Sequence, residues 1–76
     1  MPKPPLICRV GEALYGPHWV RPLASALDVS ERTMRYWQDG SREPPPGVLA
    51  ELAKMCTERR KALADLKVEL RSLIVR

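Results

Sequence analysis

The chain has 76 residues, of which 45% are hydrophobic and 29% charged, with a formal net charge of +4. This length allows one small domain, near the lower size at which a single core is self-sufficient, so a partner chain would add useful stability. No apolar run approaches membrane-spanning length and the start, MPKPPLICRV, lacks the apolar core of a signal peptide, which predicts a cytoplasmic protein without a membrane partner.

The sequence argues against a metal site and against catalysis. Cys8 and Cys56 are far apart without a CxxC pairing, and His18 is the single histidine, so no spacing suggests a closed zinc site. In a cytoplasmic chain the cysteines are expected to be packed thiols rather than a disulfide. Neither GxxxxGK nor HExxH occurs. We therefore expect no metal, no cofactor and no enzymatic activity.

The positive charge lies at one end of the chain. Residues 1–53 contain six basic and six acidic side chains, whereas residues 54–76 contain seven basic and three acidic ones. The pI near 9.5 suits a nucleic-acid partner. The first 53 residues are nevertheless neutral, so charge alone does not establish such a partner.

Two helices are predicted before the central turn. After an irregular, proline-rich arm over residues 1–5, a helical apolar pattern runs from residue 6 to residue 15 and ends at Gly16-Pro17. The apolar residues of that pattern are Leu6, Ile7, Val10, Ala13 and Leu14. Because Pro22 is tolerated only in a first helical turn, the second helix should begin near Trp19 or Val20 and end around Leu27.

A third helix follows directly after a short polar turn, Asp28-Val29-Ser30. Ser30 stands where an N-cap is wanted, and Gly40 stands where a helix ends in a left-handed residue. Two short helices joined in this way form a helix-turn-helix unit over residues 23–40, whose second helix can enter the DNA major groove.

The third helix has two faces at 100° per residue. Thr33, Met34 and Trp37 should face the core. The outward side chains are Glu31, Arg32, Arg35, Tyr36 and Asp39. Arginine pairs with guanine, glutamate accepts from cytosine, and tyrosine reaches a phosphate or a thymine methyl group, which favours DNA contact. The alternative is an ordinary solvated face of mixed charge.

The C-terminal part is predicted to be one long helix. Residues 41–47 form a loop stiffened by three prolines, and from Val48 no proline or glycine interrupts the chain. A heptad seam with spacings of 3 and 4 is formed by Leu49, Leu52, Cys56, Arg59, Leu63, Leu66, Leu70 and Leu73.

The distal end of this seam is expected to form a dimer. Leu63, Leu66, Leu70 and Leu73 extend beyond what so small a core can cover, and a second copy is the simplest cover for them. The alternative is a break near residues 57–60, at the charged run around Arg59, that would fold the helix back. The flanking positions carry no acidic-to-basic ladder and leave the helix direction in a dimer open.

The predicted fold is therefore all-α, a small helix-turn-helix domain of about four helices with a long C-terminal helix. Residues 1–5 form the arm, residues 6–53 the DNA-binding domain, and residues 54–76 a helical extension for dimerisation.

Residues 6–52 resemble the Cro/repressor type of helix-turn-helix domain, also called XRE or lambda-repressor-like. The resemblance is carried by Leu23, Ala24, Leu27, Val29, Ser30, Thr33, Met34, Trp37, Gly40, Pro44, Leu49 and Leu52. Asp28 replaces the usual glycine of the turn, which is tolerable because aspartate enters left-handed conformations more readily than most residues.

This resemblance implies base contacts by Glu31, Arg32 and the neighbourhood of Arg35 and Tyr36, and phosphate contacts from the start of the preceding helix at Val20 and Arg21. We assign phosphate contacts to Ser30, Arg21 and Arg42. Small proteins resembling this family are often phage or bacterial repressors of their own operons.

The sequence also resembles the recognition helix of MerR-type regulators over residues 30–37. Those proteins continue into a β-wing and start almost at the helix-turn-helix, whereas here a triple proline leads into a helix and another helix precedes the unit. A MerR-like fold is therefore the lesser alternative.

The predicted function is that of a sequence-specific transcriptional regulator, a dimeric repressor that inserts the helix of residues 30–39 into the major groove. Its expected partners are double-stranded DNA with a near-palindromic operator and a second copy of the chain, which would make it nucleoid-associated. The alternative from a different class is a protein-interaction module that uses the C-terminal leucine seam.

Overall fold

A computed structural model describes residues 3–74, which form four α-helices and no strand. Helix α1 spans Leu6–Tyr15, α2 spans Val20–Leu27, α3 spans Glu31–Asp39 and α4 spans Pro46–Ile74. The fold is thus all-α with a long C-terminal helix, as the sequence predicts. Residues 1–2 of the predicted arm and 75–76 of the predicted extension lie outside the described residues. No helix within residues 3–74 combines the length and the apolar character needed to cross a bilayer.

The turn between α2 and α3 is built by local backbone signals. Asp28 ends α2 in the left-handed conformation, with φ 55° and ψ 45°, and takes the place that glycine would take in this turn. The Ser30 hydroxyl caps α3 by accepting a hydrogen bond of 3.0 Å from the amide of Thr33. Gly40 ends α3 with φ 82°. All three predicted roles are confirmed.

Both helix-embedded prolines lie in a first turn. Pro22 is the third residue of α2, and Pro46 is the first residue of α4. At these positions a missing N–H costs no helical hydrogen bond, since the first amides of a helix have no partner within it.

The core lies between α1, α2 and α3 and is closed on one side by the start of α4. Its buried residues are Ile7, Cys8, Leu14, Trp19, Leu23, Ala24, Met34, Trp37 and Leu52. Met34 and Trp37 face inward as predicted, while Thr33 is only half-buried. The apolar pattern of α1 includes more residues than the structure buries, because Leu6 and Ala13 are exposed.

A glycine inside α1 allows the closest approach in this core. Trp19, only 3% exposed, lies against Gly11. A Cβ atom at position 11 would come within 2.2 Å of Cε3 of the indole ring. The indole therefore occupies the space that any other residue at this position would need, which explains a helix-weakening glycine in the middle of α1.

Helix α4 is continuous, which confirms the predicted long helix and excludes the alternative of a break near residues 57–60. Leu52 is buried against the three-helix unit, and Val48 and Met55 pack at the edge of the core. Arg59 reaches across to α1, where its Nη1 donates a hydrogen bond of 2.7 Å to the carbonyl oxygen of Leu14. The guanidinium carbon also lies 5.7 Å from the centre of the Tyr15 ring. The charged residue in the seam ties α4 to the C-terminal end of α1.

Candidate nucleic-acid interface

The predicted base-reading residues lie together on one face of α3. Arg32 and Arg35 are exposed, whereas Glu31 and Tyr36 are half-buried, and the opposite face carries the buried Met34. The helix is short, so this face presents few side chains beyond these four. It has the guanidinium, carboxylate and phenol groups suited to base edges and phosphates.

Tyr36 organises two arginines on this face. The Arg32 Nε donates a hydrogen bond of 3.1 Å to the Tyr36 hydroxyl oxygen. The guanidinium carbon of Arg42 lies 4.5 Å from the centre of the Tyr36 ring, and that of Arg32 lies 5.9 Å from it. The ring thus attracts both cations through its electron-rich face. Tyr36 is therefore a positioning residue for the arginines as well as a candidate contact.

The loop after α3 holds Arg42 beside the helix. The Arg42 amide donates a hydrogen bond of 3.2 Å to the carbonyl oxygen of Tyr36, and the Ser41 hydroxyl donates to the same oxygen at 3.3 Å. The Ser41 amide donates to Oδ1 of Asp39 at 2.8 Å. Hydrogen bonds from Ser41 hold the pKa of Asp39 below its ordinary value, because they stabilise the carboxylate. The sequence assigns Arg42 to phosphate contact but carries no signal for this stacked position.

At the other end of α3, Arg21 of α2 faces Glu31. Arg21 Nε lies 3.7 Å from the Glu31 carboxylate, and the arginine side chain is 86% exposed. So exposed a pair contributes little to stability, because water screens it and both side chains lose conformational freedom. The pair does, however, bring Arg21, which is predicted to contact a phosphate, to the start of the predicted reading helix.

The charges around α3 balance, as they do over the whole of residues 1–53. Four of the six basic side chains lie on or beside the outward face of α3: Arg21, Arg32, Arg35 and Arg42. Two of the six acidic residues, Glu12 and Glu51, belong instead to α1 and α4. The other four acidic residues, Asp28, Glu31, Asp39 and Glu43, lie in α3 or in the segments beside it, so this region carries four charges of each sign and is neutral in sum.

Ser30 uses both of its hydroxyl functions within the chain. Besides capping the Thr33 amide, its hydroxyl donates a hydrogen bond of 3.0 Å to the Thr33 hydroxyl oxygen. The residue remains exposed at the start of α3. A phosphate contact by its hydroxyl would therefore replace the bond to Thr33.

The two cysteines differ. Cys8 is a packed thiol, and its Sγ donates a weak hydrogen bond of 3.6 Å to the Gln38 carbonyl oxygen under α3. Burial raises the pKa of the Cys8 thiol, with a smaller contribution from Glu12, so it stays neutral. Cys56 is exposed, and the prediction of a packed thiol is wrong for it within one chain. Both are free cysteines.

The four predicted dimer-interface leucines lie uncovered on α4. Leu63 is 59% exposed, Leu66 54%, Leu70 59% and Leu73 62%. These values exceed what a leucine shows when it packs against a neighbouring element, and they leave a continuous apolar row over more than two helical turns. The proximal part of the seam, by contrast, is partly used within the chain through Leu52 and Arg59.

A scan against protein-family models, a search of curated proteins and a search of solved structures find no match to the chain.

Proposed function

We propose that the protein is a sequence-specific DNA-binding transcriptional regulator that acts as a homodimeric repressor and inserts α3 into the major groove. It reads bases with Glu31, Arg32, Arg35 and Tyr36. It binds phosphates with Arg21 and Ser30 at the start of α3 and with Arg42 after its end. Its site of action is then the cytoplasm, at the nucleoid.

The observation that carries the proposal is the arginine-rich outward face of α3. Arg32 and Arg42 flank the Tyr36 ring, and Arg35 is exposed on the same helix. Side chains held before binding lose less conformational freedom on contact, which favours a defined reading geometry. The capped start of α3 and the short turn after α2 present this face in the way a helix-turn-helix unit presents its reading helix.

The dimer is the second part of the proposal. Residues 1–53 have no net charge, so one copy gains little from non-specific attraction to the DNA backbone. Two copies double the phosphate contacts and read two half-sites about 34 Å apart, in successive major grooves. The net positive charge of residues 54–76 adds to the attraction of the assembled protein for DNA.

The test is selection of binding sites from random double-stranded DNA, carried out at physiological salt. We expect enriched sequences that contain two related half-sites arranged as an inverted repeat. Recovery of no enriched sequence, at salt concentrations where non-specific binding is already lost, contradicts the proposal. Enrichment of a single unrepeated half-site supports DNA reading but contradicts the dimer.

A second candidate function is a protein-interaction module, and the bare leucines favour it. Residues 63–74 carry six of the eight exposed large hydrophobic side chains of the described chain, which a helix-turn-helix fold without DNA binding would present to a partner. The same selection experiment separates the two functions, because a protein-interaction module would enrich no DNA sequence. The MerR-like alternative is disfavoured, since residues 41–45, where a wing would start, contain no strand.

A further inference from the structure

Arg32 and Arg42 are held beside α3 by a neutral aromatic side chain and not by a carboxylate. The one ion pair of the described chain joins Arg21 to Glu31, so neither arginine at Tyr36 has an acidic side chain within salt-bridge distance. A contact to a phosphate or to a base therefore requires no ion pair of these two arginines to be broken first. Both keep the cation–π attraction of the ring until then.

The two arginines contact different parts of Tyr36. The hydroxyl oxygen accepts the hydrogen bond of 3.1 Å from Nε of Arg32, which lies one turn earlier on α3. The ring lies beside Arg42, whose guanidinium carbon is 4.5 Å from the ring centre, compared with 5.9 Å for Arg32. The backbone also fixes Arg42 at this place, because its amide donates to the Tyr36 carbonyl oxygen at 3.2 Å. Removing the hydroxyl alone, or the hydroxyl and the ring together, therefore separates the two contacts.

The bond to Tyr36 decides which donors Arg32 has left. A guanidinium donates through Nε and through its two terminal nitrogens, and the bond to the phenol oxygen uses Nε. The terminal nitrogens remain, and their N–H groups match the O6 and N7 acceptors of guanine in the major groove. Arg32 can therefore read a guanine end-on while its side chain stays bonded to Tyr36.

We propose that Tyr36 is a positioning residue with two separable effects. Its hydroxyl orients Arg32 toward a guanine, which sets base preference, and its ring holds Arg42 for a phosphate, which sets sequence-independent affinity. This rests on the proposed function and gives the half-site a guanine at the position that Arg32 reads. Tyr36 then shares in base reading through Arg32. Because a side chain held before contact loses less conformational freedom on binding, each contact is stronger with Tyr36 present.

Tyr36→Phe and Tyr36→Leu test the two effects in the full chain, on the selected DNA site. Tyr36 lies outside the buried core, so both variants should fold, and circular dichroism checks their helix content. Tyr36→Phe should lower the preference for guanine at the position where Arg32→Ala relaxes it. The expected factor is about 2- to 10-fold, the effect of one lost hydrogen bond, with affinity for unrelated DNA unchanged. Tyr36→Leu should also weaken binding to unrelated DNA, as Arg42→Ala does.

Repeating Tyr36→Phe in an Arg32→Ala background separates positioning from a direct base contact by the phenol. If the hydroxyl acts through Arg32, the second substitution causes no further loss of base preference at any position. A loss that is as large without Arg32 shows a direct contact of Tyr36 with a base and overturns the positioning role. An unchanged guanine preference in the Tyr36→Phe protein overturns it as well.

A measurement on the free protein keeps these outcomes apart from a failure of the proposed function. In a heteronuclear NMR spectrum, Tyr36→Phe should shift the Nε–H resonance of Arg32 and speed its exchange with water, because the acceptor is gone. The Nε–H resonance of Arg35, which is exposed on the same helix, is the internal control.

The combined outcomes are distinct. An enriched DNA site together with an Arg32 resonance that Tyr36→Phe leaves unmoved refutes the positioning role and leaves DNA reading intact. Recovery of no enriched site contradicts the proposed function and, with it, the guanine preference, even where the resonance moves.

Discussion

At the scale of single residues, the core depends on a contact between Gly11 and Trp19 that local sequence patterns do not reveal. A glycine in mid-helix costs roughly 0.5–1 kcal/mol relative to alanine, so its presence signals a packing reason without naming the partner. The partner is the indole of Trp19, which lies where a Cβ would be. The structure buries Trp19 almost completely, immediately before α2.

Gly11→Ala should therefore destabilise the protein despite the better helix propensity of alanine. The added methyl group overlaps the indole ring at 2.2 Å, and overpacking of this kind costs about 1–3 kcal/mol. Thermal unfolding followed by circular dichroism should show a midpoint lower by several degrees. Gly47→Ala is the matched control, because nothing lies within 4 Å of a Cβ there, and it should raise the midpoint slightly. Equal effects of the two substitutions would contradict the packing argument.

The arginines of α3 are the second group of single residues with an expected effect. Replacing Arg32 or Arg35 by alanine should weaken binding to the selected site by roughly 1–3 kcal/mol for each lost bidentate contact and relax the preference at one base position. Titration of the selected site and of single-base variants measures both quantities. Arg42→Ala should instead weaken all sequences alike, as expected for a phosphate contact.

Arg9→Ala controls for the loss of one positive charge, because Arg9 is exposed and belongs to α1 rather than to α3. It should change affinity much less than Arg32→Ala. Full affinity in both Arg32→Ala and Arg35→Ala would show that α3 is not the reading helix.

At the scale of helices, the boundaries could be predicted because their signals are local. Ser30, Gly40 and Asp28 act on their own backbone or on amides three residues away, and the prolines act on the turn that contains them. The position of Arg59 could not be predicted, because its hydrogen bond joins residues 45 apart in sequence. In the sequence, Arg59 is a charged residue within an apolar seam. Such a residue is equally compatible with a break in α4 and with a contact that anchors α4 to another helix.

Arg59→Met tests the anchor. Methionine keeps helix propensity and apolar packing but removes the donor to the Leu14 carbonyl and the positive charge at the C-terminus of α1. We expect a loss of about 1 kcal/mol in the free energy of unfolding, measured by urea denaturation. Arg60→Met should change it by less than about 0.5 kcal/mol, since Arg60 is exposed beside it. An equally large loss of unfolding free energy in Arg60→Met would show that the effect comes from the removed charge and not from the hydrogen bond to Leu14.

At the scale of the whole molecule, α4 divides its leucine face between two tasks. Up to Arg59 the face is partly packed within the chain, through the buried Leu52 and the hydrogen bond of Arg59 to α1, and from Leu63 onward it is bare. The sequence predicts this division from the small size of the core, but it cannot decide the helix direction, because the charges beside the seam form no ladder.

The dimer should supply most of the useful DNA affinity. Leu66→Glu with Leu70→Glu places charges in the seam, so sedimentation should show a monomer, and affinity for a two-half-site operator should fall about 10²–10⁴-fold as the bivalent contact is lost. Val68→Glu with Ser72→Glu adds the same charge on the opposite face of α4 and should leave both mass and affinity nearly unchanged. Monomers that keep full operator affinity would show that one copy suffices, and an unchanged mass in the leucine variant would remove the seam from the assembly.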